Sequence, residues 1–309
     1  MQTNTKKEQI VKLSVFSNSF LVISKLIIGL ISGSVSVISE AIHSAIDLIA
    51  ALIAFFSVKN SSKPPDKEHR FGHGKIENVS GFLEAILIFI AAIWIIYEAF
   101  KKIIYPTEIE KIGLGIIVML SSSILNFYVS RRLMKVALET DSIAIKADSL
   151  HLMTDVYTSL GVAGSLLLIW LMEFFFKGNH FHFLDPLCAI LVAALIIKTA
   201  YKLTKEAFAD LIDSSIPKEE IKLIEDKINS FADIMSYKSL KTRKSGGETF
   251  IEMDLIFDKR ISLLKAHEIT DNLIIEIKKD FPHSHINIHM EPCIDPCSIS
   301  CKENCSKNN

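Results

Sequence analysis

Residues 39–58 read SEAIHSAIDLIAALIAFFSV, an apolar run that would span a bilayer core as a helix, yet it carries His43 and Asp47. Residues i and i+4 share a helix face, so the two side chains point the same way. The pattern returns as HLMTD in a later apolar run, with His151 and Asp155 again four apart. Ionisable groups at such depth cost roughly 2.5–3.5 kcal/mol each on insertion scales, so their presence needs a common reason. Two imidazoles and two carboxylates can enclose a divalent metal tetrahedrally, the carboxylates balancing its charge. A hydrogen-bond network between packed helices, or a proton relay, is the alternative reading.

The rest of the chain fits a membrane setting. It has 309 residues, 50% of them apolar, and its mean hydropathy is +0.35. Runs near bilayer length fall at about Ile10–Ile31, Val35–Val58, Val79–Ile103, Ile112–Val129, Ile143–Phe174 and Phe183–Ala200. Basic residues cluster before the first run (Lys6, Lys7, Lys12), after the second (Lys59, Lys63, Lys67, Arg70, Lys75) and after the fourth (Arg131, Arg132, Lys135, Lys146). The opposite side has only Lys101, Lys102, Lys111 and Lys177. The positive-inside rule therefore predicts both termini in the cytoplasm. The first run is too long for a cleavable signal peptide and lacks a small-residue cleavage site. A net charge of −1 argues against a nucleic-acid partner.

Near Asp210 the composition changes, and from Lys218 onward no apolar run could span. KEEIKLIEDKINSF (218–231) has helical periodicity, and SYKSLKTRK (236–244) and TFIEMDLIF (249–257) read as strands around the turn SGG. LLKAHEITDNLIIEIKKDF (263–281) is a second helix and HINIHM (285–290) a last strand. The predicted fold class is an α-helical membrane protein, with six transmembrane helices followed by a small αββαβ domain. The expected divisions are 1–209, 210–292 and a Cys-rich tail, 293–309.

Two further segments draw attention. The loop PPDKEHRFGHGK (64–75) sets Asp66, His69 and His73 in a D-x2-H-x3-H spacing that lets all three converge on a metal; a solvated basic loop is the other reading. The tail CIDPCSISCKENC spaces Cys293, Cys297, Cys301 and Cys305 four apart. Four thiolates could hold Zn2+ or a softer ion, although Pro296 breaks any continuous helix and a flexible, reduced tail is the alternative. A cytoplasmic setting argues against structural disulfides. Cys188 is expected to be a small buried apolar residue, and His180 and His182 to be plain loop residues.

GSVSVISEAIHSAID, HRFGHGK and KADSLHLMTDV together resemble the cation diffusion facilitator family, and the likeness runs over nearly the whole chain. The resemblance implies a ferredoxin-like (metallochaperone-like) cytoplasmic domain and a homodimer in a bacterial plasma membrane. It implies export of divalent metal, usually Zn2+, in exchange for protons, with no cofactor beyond Zn2+ as substrate or regulatory ligand. By the same likeness His43, Asp47, His151 and Asp155 form the transport site, and Asp66, His69 and His73 a second site near the membrane surface. A cytoplasmic site would use Asp254, His267, His289 and Glu291. Lys238 stands where some relatives have another histidine, so one metal per subunit is expected in place of two. Lys75 and Asp213 match a charge interlock near the dimer interface. Lys25 also recurs in relatives, with snorkelling to the outer interface as the plain alternative. The histidine at position 43 resembles a zinc-selective pattern, relatives with aspartate there being more permissive to cadmium.

Metal binding needs deprotonated ligands and so releases protons, and imidazole titrates near neutral pH, which makes the exchange chemically reasonable. Other readings are a membrane metal sensor or scaffold that binds without transport, and an exporter mainly of Fe2+, Cd2+, Co2+ or Mn2+. An intramembrane hydrolase would want a glutamate base as in HExxH, and neither His43 nor His151 has one beside it, so no enzyme is expected.

Overall fold

The structure, a computed structural model, describes residues 2–32, 35–105, 114–176 and 184–293. Among the described residues six long helices come first: α1 (Gln2–Ser32), α2 (Val35–Ser61), α3 (Lys75–Ile104), α4 (Leu114–Thr140), α5 (Ile143–Phe176) and α6 (Leu184–Leu211). They outrun the apolar stretches that announce them. α4 continues through RRLMKVALET and α6 through YKLTKEAFADL, because the backbone ladder does not stop where hydropathy falls. Among the described residues, four helices are long and apolar enough to cross a membrane: the spans are Asn4–Ile31, Ala41–Ser61, Lys75–Ile104 and Pro186–Leu211.

The reversal from α4 to α5 is tight. Asp141 takes a left-handed conformation (φ 49°), and the Ser142 N–H reaches back to the Ala137 carbonyl at 3.1 Å. That is the usual hydrogen-bonded stop of a helix, and Asp tolerates it better than a bulkier side chain would. Asp213 does the same after α6 (φ 58°), with the Ser214 N–H on the Ala209 carbonyl at 3.0 Å.

Two apolar clusters hold the helices. Val11, Val58, Val129, Leu133, Ile145 and Leu152 join α1, α2, α4 and α5. Ala85, Ile88, Ile143, Ala147, Ile196 and Leu203 join α3, α5 and α6. Gly81 lets α3 and α5 meet backbone to backbone, since a Cβ there would lie 3.2 Å from the Ile143 carbonyl oxygen. At one helix end a buried ion pair adds to this packing. Lys7 donates to Glu77 at 2.9 Å, and Glu77 also accepts from Ser61 and Ser142, so one carboxylate ties α1, α2, α3 and the start of α5.

The chain divides into two compact units on either side of the Phe208–Ala209 bond. The second contains α7 (Lys218–Ser230), β1 (Ser236–Ser245), β2 (Glu248–Phe257), α8 (Leu263–Asp280) and β3 (Ser284–Pro292), the αββαβ order read from the sequence. The sheet order is β1-β2-β3, antiparallel then parallel, the second pairing being possible because α8 makes the crossover. Gly246 at φ +60° supplies the tight turn between β1 and β2. One sheet face, including Ile251, Met253 and Leu255, packs on Ile224 and Ile228 of α7 and Leu273 and Ile277 of α8. Alternate residues, among them Glu252, Asp254, His289 and Glu291, point to the helix-free face.

Candidate metal centre

The two HxxxD motifs meet. His151 Nε2 lies 3.2 Å from Asp47 Oδ1, across 104 positions of sequence, and His43 Nε2 lies 3.9 Å from Asp155 Oδ1. Each contact joins α2 to α5, so helical spacing sets the faces and the α2–α5 packing sets the pairing. One ligand atom each from His43, Asp47 and Asp155 falls within 4.8 Å of the others, as a shared cation would require. Asn126 of α4 donates to Asp155 Oδ2 at 3.5 Å, an orienting contact from outside the quartet. Asp47, His151 and Asp155 are largely enclosed, with side-chain exposures of 5%, 12% and 17%, while His43 is 57% exposed and closes the cluster from the helix surface. Lys25, for which snorkelling was the plain expectation, is instead buried and donates to Ser44 at 2.9 Å, next to His43. That hydrogen bond keeps its ammonium inside the helix bundle.

The loop triad also converges. His73 Nε2 and His69 Nδ1 lie 3.3 and 3.4 Å from the two Asp66 oxygens, and the imidazole rings are 4.5 Å apart. Asp66 Oδ1 accepts from the backbone N–H of His69 and Glu68, and the His69 N–H above all holds this carboxyl below its usual range. The two backbone N–H groups thereby orient the carboxylate before any ligand arrives. His73 Nδ1 is buried with no hydrogen-bond partner.

The C-terminal domain behaves differently. Lys238, Asp254 and His289 are neighbours in one row across the sheet. The Lys238 ammonium pairs with Glu291, which holds it above its ordinary value, with a smaller contribution from Asp254. His289 approaches Glu291 at 3.7 Å. His267 sits on α8, which covers the opposite sheet face, and pairs with Asp271 at 3.5 Å. Among the described residues, Asp254, His267, His289 and Glu291 therefore do not gather at ligand spacing within one chain. The Lys238 ammonium is the positive charge beside Glu291 and Asp254.

Asp213 pairs with Arg243 at 3.5 Å, and Lys75 is the first residue of α3. Cys293 is buried, its N–H on the Phe257 carbonyl at 2.8 Å, while Cys297, Cys301 and Cys305, with His180 and His182, lie outside the described residues. Cys188 is half-buried. Sequence reasoning passed over Glu84, Asp148 and the Lys7–Glu77 pair. The signal for the first two was available: a lone carboxylate inside an apolar run, as in GFLEAILIFIAAI.

Long apolar helices with a His/Asp cluster converging in their interior, followed by a separate α/β domain, define a multi-pass helical membrane protein with a cation-handling core. The chain belongs to the cation diffusion facilitator family of cation-efflux transporters: the cation efflux transmembrane domain family matches residues 11–212, and the cation efflux protein cytoplasmic domain family residues 216–293. It is similar to an uncharacterized transporter, sll1263, of Synechocystis, at 32% identity over 266 residues covering 86% of this chain and 84% of that one. It is 30% identical to the cation-efflux pump FieF of Citrobacter koseri over 275 residues, and 31% identical to that of Yersinia enterocolitica over 274 residues, each covering 89% of both chains. It is thus a bacterial-type membrane protein of cation efflux.

Proposed function

We propose that the protein exports a divalent cation, foremost Zn2+, from the cytoplasm in exchange for protons, with His43, Asp47, His151 and Asp155 as the transport site. The observation that carries this is the meeting of the two motifs from α2 and α5 inside the helical unit: His43, Asp47 and Asp155 each offer a ligand atom within 4.8 Å of the others, and His151 contacts Asp47 at 3.2 Å. Mixed nitrogen and oxygen donors in a tetrahedral set suit Zn2+, which has no geometric preference of its own. The cation binds deprotonated ligands, so loading releases protons and unloading favours their return. An inward proton gradient can then drive metal out if the site opens alternately to the two sides. All six long helices cross the membrane in this reading, both termini face the cytoplasm, and the protein acts as a homodimer of the plasma membrane. The loop triad and the cytoplasmic domain are the places where metal would tune this transport.

The test is reconstitution in vesicles with an imposed pH gradient. Zinc should leave the cytoplasmic-face compartment faster when the opposite compartment is acidified, and a zinc gradient should move protons the other way. Bound zinc with no flux would make the protein a sensor or scaffold. Flux indifferent to pH, with no proton signal, would make it a uniporter.

A further inference from the structure

Beside the quartet lies a second set of buried oxygens. Glu84 of α3 and Asp148 of α5 are each 1% exposed. The Gly81–Ile143 contact and the packing of Ala85, Ile88 and Ala147 clamp α3 to α5 here, placing the two carboxylates within electrostatic reach of one another and of His151. Glu84 Oε1 accepts from Ser80 at 3.3 Å, but Glu84 Oε2 and both Asp148 oxygens have no hydrogen-bond partner. The Ser14 hydroxyl of α1, fully buried, lies beside Asp148 without making a hydrogen bond of acceptable geometry. One turn further along the same face of α1, Asn18 is 1% exposed and neither of its amide atoms is partnered. Buried polar groups are ordinarily satisfied, and an orphaned carboxylate is the costliest exception. Several buried, unpartnered polar groups on the packed faces of α1, α3 and α5 point to a missing ligand.

The position of the set gives its role. Asp148 precedes His151 by about 4.5 Å along α5, toward the end where that helix begins. At that end the Lys7–Glu77 pair closes the bundle, and Glu84 stands about two turns inward from Glu77 on α3. The carboxylates thus lie between the cytoplasmic helix ends and the quartet.

We propose that Glu84, Asp148 and Ser14 form an oxygen-only staging site, where a divalent cation sheds water before transfer to the quartet. This rests on the export reading above for its direction, though not for its existence. Oxygen donors bind Zn2+ less firmly than the mixed quartet does and favour harder ions such as Mn2+. The cation therefore moves downhill from oxygen to nitrogen ligands, and the staging site releases it readily.

The experiment uses the full chain with the loop silenced by Asp66→Ala and Mn2+ as a spectroscopic probe. In a variant whose quartet is disabled by Asp47→Ala and Asp155→Ala, Mn2+ should remain bound, with a paramagnetic-resonance spectrum typical of oxygen ligands. Adding Glu84→Gln and Asp148→Asn should remove it. In the otherwise intact transporter, Glu84→Gln with Asp148→Asn should lower zinc flux about tenfold at limiting zinc, while saturating flux falls far less. Should the double change fail to fold, as judged by elution and helix content, Glu84→Gln alone serves in both assays. Equal Mn2+ binding with and without the two carboxylates overturns the proposal. So does Mn2+ absent throughout, with Glu84→Gln only shifting the pH profile of zinc flux, which would make the carboxylates proton holders. Wild-type vesicles that move no zinc would refute the export reading alone, since the Mn2+ result stands without transport.

Discussion

The quartet of the helical unit and the set expected in the cytoplasmic domain contain the same chemistry, two imidazoles and two carboxylates each, yet they arrive at different arrangements. In the first, α2 and α5 press their polar faces together, and His43, Asp47, His151 and Asp155 have each other as partners. In the second, Asp254, His289 and Glu291 share the open face of the sheet with Lys238, and His267 is carried off by α8. Ligand type alone therefore does not make a site. A buried set that lacks a balancing cation calls for one, whereas an exposed set can be neutralised by an ordinary lysine at little cost.

The sharpest way to break the comparison is to strip the quartet. Asp47→Ala or Asp155→Ala should reduce zinc flux at least about 100-fold, since each removes a ligand and a charge from a small enclosed set. The same change at Asp254 should leave flux within about threefold, because a half-exposed strand carboxylate beside a lysine is not holding cargo. Vesicle uptake, with membrane insertion checked by elution and helix content, decides both. Near-normal flux in both quartet variants would end the transport-site reading.

The next test runs in the opposite direction. If Lys238 occupies the place of a cation, Lys238→Ala should give the domain a zinc site made of Asp254, His289 and Glu291. Zinc titration of the full chain should show an added site, or about a tenfold gain in affinity, equivalent to about 1.4 kcal/mol. The ammonium is held protonated by Glu291, so raising the pH through neutrality should not release those ligands in the wild type. Unchanged zinc binding in Lys238→Ala would mean that the sheet face is unsuited to metal for some reason other than charge.

How far the sequence carries depends on what each signal measures. Apolar run length locates six helices, but it senses a membrane slab rather than a backbone, so it misses the polar turns with which α3, α4 and α6 begin or end. The i,i+4 spacing shows that His43 goes with Asp47 and His151 with Asp155; that the close pairs are His151 with Asp47 and His43 with Asp155 is a fact of helix packing. Strand alternation places Asp254 and His289 on one face, whereas nothing local shows that α8 turns His267 away from it. Glu84, Asp148 and Ser14 come from three helices, and no spacing rule links them.

The loop triad stands between the two extremes, gathered like the quartet and exposed like the sheet face. Its zinc binding should weaken as pH falls, because protons and metal compete for the same imidazole nitrogens of His69 and His73. Asp66 should contribute less to that loss, since the His69 N–H holds its carboxyl below the usual range. A pH titration of zinc binding, compared between wild type and Asp66→Ala, separates the two. Binding that persists undiminished at pH 5 would show that the imidazoles are not ligands. In flux, Asp66→Ala should cost only about threefold, because a surface site affects capture rather than passage.

The smallest expected effect is the most informative about metal choice. His43 is the loosest member of the quartet, its Nε2 3.9 Å from Asp155 and its side chain 57% exposed. It is therefore the position where a substitution should leave the helix packing intact. His43→Asp replaces an imidazole with a shorter carboxylate arm, adding negative charge and a harder donor while widening the space around the ion. Zn2+ tolerates either donor but gains most from a compact mixed set; a larger ion such as Cd2+ gains from the room, and Mn2+ from the extra oxygen. In competition uptake the wild type should favour zinc over manganese and iron, with Co2+ next. The variant should narrow the zinc-to-cadmium ratio by about threefold, with total zinc flux reduced but measurable. A wild type that moves Mn2+ or Fe2+ in preference to Zn2+ would defeat the zinc assignment. An unchanged selectivity order in His43→Asp would place the choice of metal with the enclosed members Asp47, His151 and Asp155, whose positions the α2–α5 contact fixes.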